Sequence, residues 1–357
     1  MINAITVDLE DWYHICGIEH CEYHNKWYKY HDRLEKNVDK ILKLFAEHDV
    51  KATFFVVGFI AEKAPELIKR IADEGHEIAS HGFYHRRIFD MSPEEFESDL
   101  LRSKRVIEKA SNKKVLGYRA PEWSLKEDNV WALDILKKHG FKYDASAVPL
   151  SHLSGKHFGV QPSQIATKYG NIIEFPLNTF RAGWERLPFS GGLPMRIVPY
   201  FYILKTTILL NRKGCPVMFY IHPWEFERDC VEIDLPFNRK FMHYCNIKST
   251  PRKLKMLLKH LRFSTVKEVL SIQEKNDKTY VRNRVPLVKY IDSAYVYSAC
   301  LTYALLLTIL VILFSVTLVI KFYSIILVIL FCTIWYWPWG VLFKISHSLQ
   351  PKKEIEN

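Results

Sequence analysis

The sequence predicts an α/β fold of repeated strand–helix units, followed by a pair of membrane-spanning helices. Three observations carry this reading. Short β-prone runs alternate with helical periodicity to about residue 270, reactive polar residues cluster where those runs end, and two long uncharged stretches follow Asp292. The 357 residues leave room for one large domain or two of ordinary size. Hydrophobic residues make up 48%, with only 14 Gly and 16 Pro, which excludes linker-like and collagen-like chains. A formal net charge of +11 suits an anionic partner such as a lipid headgroup, phosphate or nucleic acid, without choosing among them. The seven scattered cysteines include no CxxC pair, which argues against a disulfide scaffold.

The elements follow in order. Ala4 to Val7 is a short β-prone run, and Leu34, Val38, Ile41, Leu42 and Phe45 recur at helical spacing. Ala52 to Val57 is a continuous apolar run of the buried-strand type, stopped by Gly58. Pro65 to Glu74 reads as a helix closed by Gly75, and Glu77 to Ser80 as the next strand. Ser92-Pro-Glu-Glu95 resembles a capping box opening a helix to about Ala110. Val115 to Tyr118, Val130 to Lys138 and Phe141 to Tyr143 continue the alternation, which implies a parallel sheet, open or closed into a barrel. From about Leu150 to Leu193 the pattern dissolves into loop with one strand-like run, Ile172 to Phe175. Val217 to Ile221 is the last strong strand, and Pro251 to Leu261 a basic amphipathic helix.

The C-terminal part has a different composition. No charged residue occurs from Ser293 to Ile320 or from Phe322 to Phe343, and each run exceeds the roughly 18 residues that suggest a spanning helix. Trp335, Tyr336, Trp337 and Trp339 form an aromatic cluster of the kind that settles at the membrane–water boundary. Basic residues flank the outer ends, from Lys275 to Lys289 before and at Lys344, Lys352 and Lys353 after, while the connection carries only Lys321. The positive-inside rule therefore predicts both ends in the cytoplasm. The N-terminus shows neither a basic region nor an apolar run of the secretory type, in keeping with a cytoplasmic start. The expected organisation is a catalytic domain over 1–272, a basic linker over 273–292, two membrane helices over 293–343 and a tail over 344–357. The catalytic domain is expected to face the cytoplasm from a membrane location.

Four polar clusters sit at the predicted strand ends. Asp8, Glu10 and Asp11 close the first strand, where three carboxylates repel one another unless a cation or an Arg compensates. Ser80-His81-Gly-Phe-Tyr-His85 brings two imidazoles within reach of one ion if the segment is helical or coiled. With one acid of the first cluster they supply two nitrogens and one oxygen and leave a position for water, as in a catalytic zinc site. Arg119, in Tyr118-Arg-Ala-Pro121-Glu-Trp123, suits a guanidinium that holds a carboxylate ionised as a base. His222, in Tyr220-Ile-His-Pro-Trp224-Glu225, follows the last strand and suits protonation of a leaving amine. Each cluster alone also fits a solvated loop, a surface pair or a structural histidine.

In this order, TVDLEDW at 6–12, SHGFYH at 80–85, RAPEW at 119–123 and FYIHPWE at 219–225 resemble the motifs of the NodB-homology polysaccharide deacetylases. The TVDxED opening and HPWE close resemble the branch found in exopolysaccharide loci. The resemblance spans about Met1 to Ile272 and takes in Ser190-Gly-Gly192. It implies an irregular (β/α)-barrel hydrolase that removes acetyl from an N-acetylated sugar with a divalent metal, commonly zinc. It also implies Asp8 as general base, His81 and His85 as metal ligands, Arg119 as the group orienting the base, and His222 as general acid. Pro121, Trp123, Tyr220 and Trp224 are the expected sugar contacts.

Two departures stand out. Asp8 is followed by Leu9 rather than a second aspartate, so the oxygen ligand is Glu10 or Asp11. Strand alternation puts Glu10 on the face of Asp8, whereas Asp11 reaches if the strand has already ended; Asp11 is preferred. The family's aspartate–tryptophan motif is not evident, which leaves Asp144 as a candidate partner for the acid. The expected substrate is a polysaccharide or a lipid-linked glycan precursor at the membrane. A deformylase or other amide hydrolase on a lipid-linked sugar, or an inactive sugar-binding protein of the membrane, are the competing readings. No Arg/aromatic module of the nucleic-acid type is present.

Overall fold

The structure, a computed structural model, describes residues 1–14, 33–150, 158–182, 185–227 and 235–272. The expected linker, membrane hairpin and tail lie outside the described residues, among which no helix is long and apolar enough to cross a membrane. All of the described residues fall within the first compact unit, Met1–Pro286.

The first unit is organised by one sheet. Its strands are β1 (Ile2–Leu9), β2 (Thr53–Val56), β3 (Glu77–Ser80), β4 (Gly117–Tyr118), β5 (Tyr143–Asp144), β6 (Ser163–Thr167), β7 (Gly170–Glu174), β10 (Met218–Ile221) and β11 (Arg262–Ser264). They run β10-β1-β2-β3-β4-β5-β7-β6, with β11 also on β1. Every pairing is parallel except β6 with β7. The strand order is that of a βα barrel, but among the described strands the ends β10 and β6 do not pair, so the sheet is curled and open.

The central strands read as apolar runs because both faces are covered. In β1 every residue after Ile2 is buried, and in β2 all four are. Helices α1 (Leu34–Ala46), α2 (Gly58–Lys63), α3 (Pro65–Asp73), α4 (Pro93–Ser111) and α5 (Trp131–Lys138) return the chain between parallel strands. The periodic residues Leu34, Val38, Ile41, Leu42 and Phe45 of α1 are all buried, as their spacing predicts. At the start of α4 the Ser92 hydroxyl accepts from the N–H of Glu95, and the Glu95 carboxylate accepts from the N–H of Ser92. That closes the expected capping box.

The region read as loop holds more structure than the sequence suggests. β6 and β7 form a hairpin, and β8 (Thr179–Ala182) and β9 (Glu185–Pro188) a second antiparallel pair. No residue of β6 is fully buried, so its Ser-Gln-Ile-Ala-Thr carries no apolar run to betray it. Helices α6 (Gly192–Ile197), α7 (Tyr200–Arg212), α8 (Phe237–Tyr244), α9 (Ser249–His260) and α10 (Val266–Val269) complete the unit.

Candidate metal centre and active site

The ends of β1, β3, β4 and β10 lie side by side because these strands are parallel and nearly consecutive in the sheet, so the residues just beyond them meet. At the end of β1 the N–H of Glu10 donates to the carbonyl of Asp8 at 2.9 Å, a tight turn that keeps both side chains on the site. The Glu10 carboxylate contacts His85 Nε2, and lies 4.0 Å from His81 Nε2 and 3.5 Å from His222 Nε2. Burial alone would raise the pKa of Glu10, but His85, His222 and His81 together hold it well below the usual carboxylate range.

Asp11 turns away. Its Oδ1 accepts from the N–H of Trp12 at 2.8 Å, and burial pushes its carboxyl up to about 7. The three residues whose donor atoms fall within 4.8 Å of one another are Glu10, His81 and His85. The preference for Asp11 as oxygen donor is therefore reversed by the geometry: strand alternation, continued through the turn, keeps Glu10 on the face of Asp8.

The two imidazoles meet by a turn rather than a helix. Gly82 and His85 have φ of 73° and 53°, and these left-handed residues fold His85 back toward His81, with ring centroids 4.9 Å apart. The turn is fixed by Asp99 of α4, whose carboxylate accepts from the N–H of Phe83 at 2.7 Å and of Tyr84 at 3.2 Å. His81 pairs through Nδ1 with the carbonyl of Arg119 at 2.8 Å. That bond assigns the proton to Nδ1 and turns the Nε2 lone pair to Glu10 and His85. Burial lowers the His81 pKa to about 4, so the ring is neutral near pH 7. An ionised carboxylate and a neutral imidazole are the protonation states that metal ligation requires, and a two-nitrogen, one-oxygen set suits a borderline divalent cation. The residues present thus fit the cation that the resemblance implies.

Arg119, fully buried, reaches from the end of β4 beneath β1. It donates from Nη1 to Asp8 Oδ1 at 2.5 Å and to the Thr6 hydroxyl at 2.9 Å, and from Nε to the Ala145 carbonyl at 3.2 Å. Its guanidinium also stacks 4.0 Å from the centre of the Phe55 ring. One oxygen of Asp8 is thereby committed, and the other lies 3.9 Å from His222 Nε2.

His222 follows β10 and opens a short helical turn, Pro223–Phe226, which returns Glu225 to it: Nδ1 lies 3.3 Å from Glu225 Oε1. Burial disfavours the imidazolium, yet the hydrogen bond to Glu225 and the charges of Glu10 and Asp8 outweigh it and raise the pKa above that of a free histidine. Behind Glu225 lies the buried Arg196, with Nε 3.9 Å from Oε1. Asp144 is not the partner of His222; it accepts from the Ser146 hydroxyl at 2.6 Å and faces Glu174 across β5 and β7. Glu225 lies within the FYIHPWE motif, and Arg196 lies outside every motif of the sequence. The i, i+3 spacing from His222 was the available signal for the first, and none existed for the second, which is 26 positions away from His222 in the chain.

The expected sugar contacts gather at the same rim. Trp123 meets Tyr220 edge-on at 5.0 Å, and Trp224 stacks on His222 at 4.9 Å and 18°. Pro121 is buried at the head of the turn that carries Trp123. Gly191 leaves the space that Tyr220 fills, since a Cβ there would lie 2.0 Å from the ring.

A carboxylate and two imidazoles converging beside a clamped aspartate and an oriented histidine define a centre of the kind used in metal-assisted hydrolysis. In comparison with known proteins, residues 27–143 match the model of the polysaccharide deacetylase family, and residues 145–271 match that of a domain of unknown function, DUF3473. A peptidoglycan deacetylase of Helicobacter pylori is 38% identical over 112 residues, 31% of this chain and 37% of that protein. A chitooligosaccharide deacetylase of Rhizobium leguminosarum bv. phaseoli is 33% identical over 158 residues, 43% of this chain and 62% of that protein. The matched segment thus spans about a third of the Helicobacter protein. A crystal structure from Mycobacterium smegmatis assigned as a polysaccharide deacetylase shares the fold at 18% identity and a TM-score of 0.51, covering 74% of this chain and 87% of that one.

Proposed function

We propose that the chain is a divalent-metal-dependent hydrolase that removes acetyl from N-acetylated amino sugars, with Asp8 as general base and His222 as general acid. The observation that carries this reading is the meeting of Asp8, Glu10 and His222 from two strand ends with His81 and His85 from a third. Glu10, His81 and His85 would hold the metal, of which zinc suits the donor set, and a bound cation supplies Lewis-acid polarisation of water and of the acetamide carbonyl.

The residues of the chain do the rest. Arg119 holds Asp8 by one oxygen and leaves the other to take the proton of the attacking water. Glu225 holds His222 so that Nε2 faces the site, and the raised pKa keeps a proton there for the amide nitrogen as the C–N bond breaks. Water adds to the carbonyl carbon, and the products are acetate and the free amine. Trp123, half-buried beside the buried Pro121 and Tyr220, offers an apolar surface suited to the face of a sugar ring, while Trp224 is buried in its stack with His222 and His243.

The lipid-linked form of the substrate, on the cytoplasmic side of a membrane that the two uncharged runs span, is the finer reading. It rests on those runs and on the basic residues that flank them. The test is metal analysis of the detergent-purified chain together with release assays on N-acetylglucosamine oligomers and lipid-linked N-acetylhexosamine. Bound divalent metal and acetate release are expected. Formate release from an N-formyl sugar without acetate release would favour a deformylase, and turnover of long free polymer alone would remove the lipid-linked substrate.

A further inference from the structure

We propose that α8 is a membrane-contact helix that rests the rim of the site on an anionic bilayer surface. The proposal deepens the deacetylase reading, on which it rests for the choice of a membrane-borne glycan as substrate. The helix turns its apolar side outward: Phe237 is 85% exposed, Phe241, one turn on, is 50% exposed, and Met242 is 45% exposed. Three large apolar side chains presented on an eight-residue helix leave contact area that water does not favour. Lys240 is exposed among them and Arg239 is beside them.

The charge of the segment chooses the occupant. Of the charged residues of α8, Arg239 and Lys240 are both basic, and from Phe237 to Arg262 the sequence contains eight Lys or Arg residues and no Asp or Glu, after Asp229, Glu232 and Asp234. Two copies meeting through this face would bring like charges together, whereas anionic headgroups complement it, and exposed aromatic rings among basic residues are the composition of interfacial helices. The chain beyond the described residues contains the two uncharged runs, 293–320 and 322–343, so a bilayer is the surface the sequence supplies.

The inner side of α8 is joined to the site. His243 stacks on Trp224 at 4.2 Å, and Trp224 stacks in turn on His222. Arg196 donates to the carbonyls of Met242 at 2.5 Å and His243 at 2.6 Å, and Arg239 reaches Glu122 of the Arg119–Trp123 motif at 3.1 Å. A helix held this way cannot be seated on headgroups without setting the site beside them, where a sugar attached to a membrane lipid is presented.

The test places the photoreactive p-benzoylphenylalanine at position 241 of the full chain, reconstituted in nanodiscs of phosphatidylcholine and phosphatidylglycerol. Illumination is expected to give a lipid adduct on the peptide containing 237–244. A cross-link to a second copy, or no lipid adduct, overturns the proposal. In the second arm, Phe237→Ser combined with Phe241→Ser is expected to lower acetate release from a bilayer-embedded N-acetylglucosaminyl lipid by about tenfold, with release from soluble N-acetylglucosamine oligomers unchanged. Equal loss on both substrates, or none, overturns it. The adduct is read without catalysis, so a lipid adduct in a chain that releases no acetate sustains the docking and sinks the deacetylase reading. Acetate release from soluble oligomers without an adduct does the reverse.

Discussion

The segment from residue 27 to 143 and the segment from 145 to 271 build their shares of the site differently. In the first, position is set by backbone: His81 is held by the Arg119 carbonyl, and the turn carrying His85 by two N–H groups on Asp99. In the second, position is set by a chain of side chains, with His222 on Glu225 and Arg196 behind Glu225. The contrast fits the tasks proposed above. Groups that share a cation must hold their separation, which backbone hydrogen bonds secure, whereas a proton donor must have its pKa set, which a charged neighbour accomplishes.

The sharpest test of that contrast is His81→Ala against Asp8→Asn. We expect His81→Ala to lose both bound metal and acetate release. Asp8→Asn should keep the metal while the rate falls by roughly 100-fold or more; equal metal loss in the two, measured by elemental analysis, would break the division of roles. Next in size, Glu225→Gln should lower kcat by about tenfold to 100-fold with little change in KM and full metal content. A fall in metal content would place Glu225 with the first segment.

Smaller effects probe the frame. Gly191→Ala sets a methyl against the Tyr220 ring and should cost about 1–3 kcal/mol, read as a lowered Tm. The β5/β7 carboxyl pair gives a pH signature. Burial raises the pKa of Asp144, and burial plus the neighbouring Asp144 raises that of Glu174 well above its ordinary value. A carboxyl whose folded pKa is raised stabilises below its unfolded pKa and loses that contribution as pH climbs through the folded value. In urea unfolding the parent should therefore lose stability relative to the Glu174→Gln variant from acid toward neutral pH; a difference that does not change with pH would remove the pair as its source.

Much of this was legible in one dimension. The βα alternation, the capping box at Ser92 and the reactive residues at strand ends are local patterns. Asp8, His81, His85, Arg119 and His222 could be singled out because polar side chains interrupt apolar runs at those points. The hairpin of β6 and β7 was not legible, because its strand β6 buries no residue fully and so carries no apolar signal.

The sequence by itself determined which chemistry is available: carboxylates, imidazoles and a guanidinium at successive strand ends, and two uncharged runs, 293–320 and 322–343, divided by Lys321. Tertiary structure alone decided that Glu10 rather than Asp11 faces the two histidines, that Glu225 rather than Asp144 sets His222, and that α8 turns aromatic rings outward beside the site. The reason is physical. Residue type and periodicity are carried along the chain, while the direction of a side chain after a strand ends, and the partner it finds far away in sequence, depend on turns and packing that exist only once the sheet has formed.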